Sequence, residues 1–362
     1  MSTLLMPTAP ADITILPAPP SGDPGRIVFT ESEVEEIRLL LADVIHRYAS
    51  PEDAEFLAEV GVIAHELPLR VRRALLQFRL HEPDSAMCMV SGWPVDQQKL
   101  GPTPSHWRKT DAANRALEEE MLLALLGSLL GDLFGWSTQQ DGRVVHDLLP
   151  IQGHQQEQMG SGSDALLAWH VEEAFHPYRG DYLGLMCLRN PDRVATTFAA
   201  IRKVEITAEE YRLLSEPHFI IRPDESHLPR NRGNAGAMNA LLERAYARII
   251  RMKDHPERIP VLFGDPNAPY LRIDPVFMDA ADAPDAQAAL DAVVERIEAV
   301  LEDQVFEPGD ICFVDNFQAV HGRRPFRARF DGTDRWLKRV NVTRDLRKSR
   351  DAREFASARI LY

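Results

Sequence analysis

Pro308-Gly309-Asp310-Ile311-Cys312-Phe313-Val314-Asp315-Asn316-Phe317-Gln318-Ala319-Val320-His321-Gly322-Arg323 is the stretch on which the reading of this chain turns. Pro-Gly-Asp reads as a turn, Ile311–Val314 as an apolar strand, Asp315-Asn316 as its end, and a histidine follows with glycine behind it. Upstream, Trp169-His170-Val171-Glu172 sets two metal-ligand types two positions apart, and alternate side chains of a strand share a face. One His-x-Glu arises often by chance. With His321 it becomes two imidazoles and a carboxylate, a set that leaves three adjacent positions open on iron(II) and suits a bidentate 2-oxo acid and O2. Zinc more often takes a fourth protein ligand, or keeps a hydrolytic water.

Downstream, Asp331-Gly332-Thr333-Asp334-Arg335-Trp336-Leu337-Lys338-Arg339 carries two arginines four apart, which share a face if the segment is a strand. The planar guanidinium fork matches a carboxylate, and a 2-oxo diacid and an amino acid each bring one. Short apolar runs at Tyr182–Leu188, Ala195–Val204, Val261–Phe263 and Tyr270–Ile273 predict further strands. Helices are expected between them at Thr207–Ser215, Ala235–Lys253 and Ala283–Asp303. The N-terminal part reads as helical. Thr30–Tyr48 opens with a Thr30/Glu33 capping box, a second helix starts at Ser50-Pro51-Glu52-Asp53 with Ser50 as cap, and a third spans Leu67–Leu80. Ala112–Phe134 is apolar around most of its circumference and predicts a long buried helix. Early helices followed by many short strands predict a mainly β fold with α: a barrel or jelly-roll core flanked by helices. Residues 1–25, rich in Pro, Ala and Gly, read as a flexible segment. Residues 26–362 read as a single domain, helical over 26–135 and β-rich over about 136–350, because the candidate ligands come from both ends of the strand-rich region.

A formal charge of -14 argues against a sequence-blind nucleic-acid binder and against anionic membranes, while leaving small cationic substrates open. No run of about 18 apolar residues exists to span a bilayer, and the N-terminus lacks a basic leader. Cys88, Cys187 and Cys312 are odd in number and far apart, so free buried thiols and a reducing cytoplasm are expected.

His170-Val171-Glu172, Phe175-His176-Pro177-Tyr178-Arg179, Val314-Asp315-Asn316 through His321, and Asp331-Gly332-x-Asp334-Arg335-Trp336-Leu337 together resemble the clavaminate synthase-like branch of the taurine dioxygenase superfamily. Within it the chain is most similar to arginine and lysine hydroxylases of antibiotic pathways, over roughly residues 110–350. The resemblance implies a double-stranded β-helix core and iron(II) bound by His170, Glu172 and His321. It implies that Arg335 holds the distal carboxylate of 2-oxoglutarate, with the hydroxyl of Thr197 beside it. It also implies that Arg339 takes the substrate α-carboxylate, Gln139 the α-amino group and Asp274 a cationic side chain. The family's second acid, two residues past Asp274, is here Val276, a departure that weakens a guanidinium grip and widens the choice to lysine, a cyclised arginine derivative or pipecolate. Related halogenases lack the metal carboxylate, so Glu172 favours hydroxylation.

The implied activity is hydroxylation of a free amino acid at an unactivated C–H with iron(II), 2-oxoglutarate and O2, giving succinate and CO2. The rival readings are a metal-dependent hydrolase on the same triad, which has no use for Arg335, and a non-catalytic β-helix binding protein. Polar, Gly-containing residues 153–165 read as a lid or a plain loop. His146, His154, His176 and His218 read as structural or surface residues, and Glu118-Glu119-Glu120 as a solvated face or first turn.

Overall fold

The computed structural model describes residues 25–108, 114–229, 239–280 and 283–362. The expected flexible segment lies, but for Gly25, outside them. Helix α1 (Glu31–Arg47) starts where the capping box predicts. Thr30 Oγ1 accepts from the Glu33 amide and Glu33 Oε2 from the Thr30 amide, satisfying two donors that a helix start leaves free. Helix α2 (Ala54–Ile63) starts later than expected. Asp53 precedes it and spends its carboxylate on the Ala49 and Ser50 amides, while Ser50 accepts from Glu52 and makes a turn instead of the cap. Helices α3 (Leu69–His81), α4 (Gln97–Leu100) and α5 (Leu117–Ser128) follow.

Helix α5 is shorter than the expected 112–134. Residues 112 and 113 lie outside the described ones, and Asp132–Trp136 is a strand. Gly131 explains the switch: a Cβ there would lie 2.3 Å from the Thr343 carbonyl oxygen, so the chain closes onto a strand exactly where a helix would need a side chain's room. The burial expected of α5 holds.

The larger sheet contains β1 (Arg26–Val28), β2 (Met87–Ser91), β3 (Asp132–Trp136), β4 (Val145–Leu148), β6 (Tyr182–Arg189), β13 (Ile311–Asp315), β15 (Trp336–Thr343) and β16 (Ile360–Leu361), with β13, β6 and β15 adjacent at its centre. The smaller sheet runs β12 (Glu302–Val305), β7 (Ala195–Ala200), β14 (Ala319–Arg323), β5 (Leu167–His170). Residues 302 and 303, expected at the end of a helix, thus belong to a strand, and helix α8 spans Pro284–Ala299. Helices α6 (Ala208–Leu214) and α7 (Ala240–Asp254) and the strand pairs β8 (Phe219–Ile221) with β11 (Met278–Ala280) and β9 (Leu262–Asp265) with β10 (Ala268–Leu271) complete the fold. Ala235, the expected start of α7, lies outside the described residues.

Strand β6 is covered on both faces, so its apolar run alternates between two cores. Leu183, Leu185 and Cys187 point between the sheets, against Phe198 and Ala200 of β7, Cys312 and Val314 of β13 and Leu337 of β15. Tyr182, Met186 and Leu188 point the other way, into a core shared with Leu41, Leu75 and Leu122 of the N-terminal helices. A third core lies outside the smaller sheet, where Ala199 and Val320 meet Leu290, Val293 and Ile297 of α8. Two facing sheets with helices on both outer faces form the double-stranded β-helix that the resemblance implied. The three cysteines are free and buried. Among the described residues no helix is long and apolar enough to cross a membrane.

Candidate active site

Strands β14 and β5 are antiparallel neighbours, and His321 stands directly opposite His170. Opposed residues of a sheet point to one face, so both imidazoles turn inward with ring centroids 4.7 Å apart. Gly322 allows that approach, since a Cβ there would meet the Leu167 carbonyl at 2.7 Å and Thr197 Oγ1 at 2.8 Å. Glu172 is not on the strand with His170, as the spacing suggested; β5 ends at His170. Asn316 restores the geometry by gripping the backbone beyond it. Its Oδ1 accepts from the Glu172 amide (2.8 Å), and its Nδ2 donates to the Glu172 carbonyl (3.0 Å) and the Gly180 carbonyl (2.9 Å). Glu172 Oε2 then lies 3.3 Å from His321 Nε2 and 3.6 Å from His170 Nε2.

These three side chains fit a metal. Their ligand atoms lie within 4.8 Å of one another, and among the described residues no fourth His, Cys, Asp or Glu joins the group. His170 Nδ1 is 2.8 Å from the Ala168 carbonyl, which takes its proton and leaves the Nε2 lone pair facing inward. Burial keeps His321 below the ordinary imidazole range, in the neutral form that binds metals. Burial also opposes the charge of Glu172, yet the Arg339 guanidinium and the two rings hold its carboxyl well below the usual range. Burial works against a charge on His170, but the Glu172 contact and the Asp274 charge raise it to about 9, so a metal bound there would displace a proton. Two imidazoles and a carboxylate on one face are the donor set of a non-haem iron(II) centre with open positions.

A cavity of about 700 Å3 opens over this triad. Arg335, just before β15, and Leu337 and Arg339 on it alternate onto its wall, so the two arginines share a face. Arg335 Nη2 donates to Thr196 Oγ1 at 2.9 Å. Thr197, the hydroxyl expected there, does not line the cavity. On β7, Thr197 pairs with Gly322, whereas Thr196 pairs with the cavity-lining Arg323, so strand alternation hands the position to Thr196. Arg339 contacts Glu172 Oε1 through Nη1, and through Nη2 donates to Gln139 Oε1 (3.0 Å) and His146 Nδ1 (2.7 Å). His146 can accept because burial and the Arg339 charge keep it neutral, and its Nε2 bonds the Arg143 carbonyl at 2.9 Å. Gln139 lines the cavity, but its amide already donates to Glu173 Oε1 (2.8 Å) and Ser226 Oγ (2.6 Å).

Asp274 also lines the cavity. It is a turn residue too, since its Oδ1 accepts from the Val276 and Phe277 amides, and burial pushes its carboxyl up to about 6. Sequence reasoning missed Asp224, a second carboxylate on the cavity wall whose charge is felt at Asp274. No motif marks it. It was also blind to Glu173, which sits at a positive φ of 54° and bonds the wholly buried His227 at 2.5 Å, with Thr138 Oγ1 on the other ring nitrogen at 2.7 Å. This chain of contacts ties the turn carrying Asp224 to the segment carrying Glu172. Residues 153–165 form one wall of the cavity, laced by amides of Ser163, Asp164 and Ala165 that all point at the Gln155 carbonyl. Among the described residues His146, His154, His176 and His218 stay outside the metal-binding group.

Comparison with known proteins agrees with this geometry. Residues 111–341 match the model of the taurine catabolism dioxygenase TauD, TfdA family. The chain is 47% identical over 335 residues to an enduracididine beta-hydroxylase of Streptomyces hygroscopicus, covering 92% of this chain and 98% of that one. It is 44% identical to an L-ornithine/L-arginine 3-hydroxylase of Catenulispora acidiphila, covering 93% and 99%. Its fold is similar to that of the non-heme iron oxygenase OrfP in complex with Fe, succinate and (3S)-hydroxy-L-Arg, with a TM-score of 0.88 at 42% identity, covering 93% and 99%.

Proposed function

The chain belongs to the TauD/TfdA family of dioxygenases, and from that premise we propose that it hydroxylates C3 of a free basic amino acid of the arginine type, open-chain or cyclised. It is an iron(II)- and 2-oxoglutarate-dependent oxygenase. His170, Glu172 and His321 would hold the metal. Iron(II) with the 2-oxo acid supplies the oxidising power to place one atom of O2 on a C–H bond, the diacid leaving as succinate and CO2.

The observation that carries the substrate reading is the pair of acids, half-buried Asp224 and buried Asp274, on a cavity wall that also bears Arg335 and Arg339. A zwitterion with a cationic tail needs such an arrangement: guanidinium for its carboxylate, carboxylates for its tail. Asp224 offers the second acid that Val276 does not. Arg339 has an unspent Nε and would turn its fork to the α-carboxylate once Glu172 is committed to a metal. Thr196 orients Arg335 for the distal carboxylate of the co-substrate, with Thr197 behind it. Glu173 accepts from Gln139, so the substrate ammonium would meet Gln139 Oε1 or Glu173 and not the Gln139 amide. Leu185 and Leu337, apolar side chains in an otherwise mostly polar lining, would help fix which hydrogen faces the metal. Residues 26–362 act as one domain in this reading, because the site draws on both sheets. Three buried free thiols suit a cytoplasmic setting.

The test is succinate formation from 2-oxoglutarate with iron(II) and O2, offering L-arginine, L-ornithine, enduracididine, L-lysine and pipecolate in turn. Stimulation by the arginine-type substrates with a 3-hydroxylated product is expected. Stimulation by lysine or pipecolate alone overturns the substrate reading, and succinate release by none of the five overturns the amino-acid class.

A further inference from the structure

Arg323 lies two positions past His321 on β14 and lines the same cavity, 3% exposed. A guanidinium this deep normally meets a carboxylate. This one donates instead to two main-chain carbonyls, those of Gly162 and Ala165 (3.0 Å to the latter), and stacks over the Phe326 ring at 5.1 Å. Arg335 is its counterpart from β15. The two arginines flank Thr196: Arg323 is its ladder partner, and Arg335 bonds its hydroxyl. Among the described residues neither makes an ion pair with an acid in this structure, and the Nε of each is buried without a partner. Other deeply placed arginines have a carboxylate charge in range, and Arg353, which also bonds main-chain carbonyls, has that of Asp132. Arg339 has Glu172, and Arg179 has the charge of Asp181 beside it.

Two adjacent buried cations without a counter-charge are unfavourable unless an anion completes them. One carboxylate on Arg335 neutralises one charge. A dianionic co-substrate brings a second negative charge into the same cavity, and Arg323 is placed to feel it. The guanidinium fork of Arg323 also fixes the 153–165 wall through Gly162 and Ala165, so charge and wall are joined in one side chain.

We propose that Arg323 is a positioning residue of the co-substrate subsite: its charge beside Arg335 raises affinity for the 2-oxo diacid, and its two carbonyl contacts hold the wall formed by residues 153–165. The proposal rests on the reading of Arg335 as the co-substrate's partner. Its test uses the full chain loaded anaerobically with iron(II). N-oxalylglycine, a non-reacting analogue of 2-oxoglutarate, is titrated calorimetrically into wild type, Arg323→Lys, Arg323→Met and Arg335→Ala. KM values for 2-oxoglutarate and for the amino acid are measured in parallel, with limited proteolysis of residues 153–165.

Arg323→Met is expected to weaken the analogue about tenfold, and to raise KM for 2-oxoglutarate alike, with the amino-acid KM moving far less. Arg323→Lys keeps the charge and is expected to stay within about threefold of wild type, while both variants lose protection of the wall to the same degree. Equal weakening by Lys and Met would show that the contacts to the wall act and the charge does not, and overturns the proposal. So does an unchanged Arg323→Met in a protein whose Arg335→Ala form has lost the analogue. An Arg335→Ala variant that binds the analogue normally sinks instead the reading of Arg335 on which the proposal stands.

Discussion

Strand β15 and the residue before it carry two kinds of cation, one on each face. On the helix side, Lys338 is wholly buried and donates to Glu120 Oε1 (2.6 Å) and Asp147 Oδ1 (2.5 Å), while Trp336 Nε1 donates to the same Asp147 oxygen at 2.7 Å. Every charge there is answered within the chain. On the cavity side, Arg335 is buried and Arg339 is partly buried; each keeps an Nε without a partner, and among the described residues Arg335 hydrogen-bonds only the Thr196 hydroxyl. Both faces take their cations out of bulk water, and only one satisfies them. A buried charge whose partners are all in the chain belongs to the fold, and one with donors left over on a cavity wall is a candidate to bind a ligand.

Substitutions on the two faces should therefore separate stability from binding. The largest stability effect is expected for Lys338→Met, which strands two buried carboxylates: a loss of about 3–5 kcal/mol in urea unfolding. Its KM for 2-oxoglutarate should stay near wild type at temperatures where it is folded. Adding Glu120→Leu and Asp147→Asn should return much of that loss, because an apolar replacement of a whole buried ion cluster is often neutral. On the other face, Arg335→Ala should raise KM for 2-oxoglutarate by roughly a hundredfold, about 2–3 kcal/mol of binding, and leave the urea midpoint nearly unchanged. Asp224→Ala should cost about tenfold in kcat/KM for arginine and less for a substrate without a cationic tail, read from initial rates of succinate formation. Thr30→Ala, remote from both faces, should cost about 1 kcal/mol through its helix cap and leave every kinetic constant alone. A Lys338→Met enzyme that loses 2-oxoglutarate affinity in proportion to its stability would erase the distinction between the faces.

The same contrast explains what could be read from the chain. That His170, Glu172, His321, Arg335 and Arg339 line one cavity was legible from short local motifs, although Glu172 reaches it from beyond the end of β5 and not by strand alternation with His170. Glu120 was not. It looked like part of a solvated acidic run in Glu118-Glu119-Glu120, but its partner Lys338 lies 218 residues away, and no periodicity announces such a pairing. Asp224 and Glu173 escaped for the same reason, since each gains its role from a neighbour supplied by another part of the fold. Thr196 and not Thr197 lines the cavity because a motif gives spacing, whereas the ladder between β7 and β14 decides which side chain faces in. The short α5 was missed because an apolar run fits a buried helix and a buried strand equally well; only the close approach of Gly131 to Thr343 separates them.

The most direct measurement is anaerobic titration of 2-oxoglutarate into the iron(II)-loaded protein, following the weak visible charge-transfer band of the chelated 2-oxo acid. Wild type and Lys338→Met, compared while both are folded, should reach half-saturation at similar concentrations, and Arg335→Ala should need roughly a hundredfold more. A band that forms equally well in Arg335→Ala, or none in iron-loaded wild type, would contradict the assignment of the open face of β15 to the co-substrate.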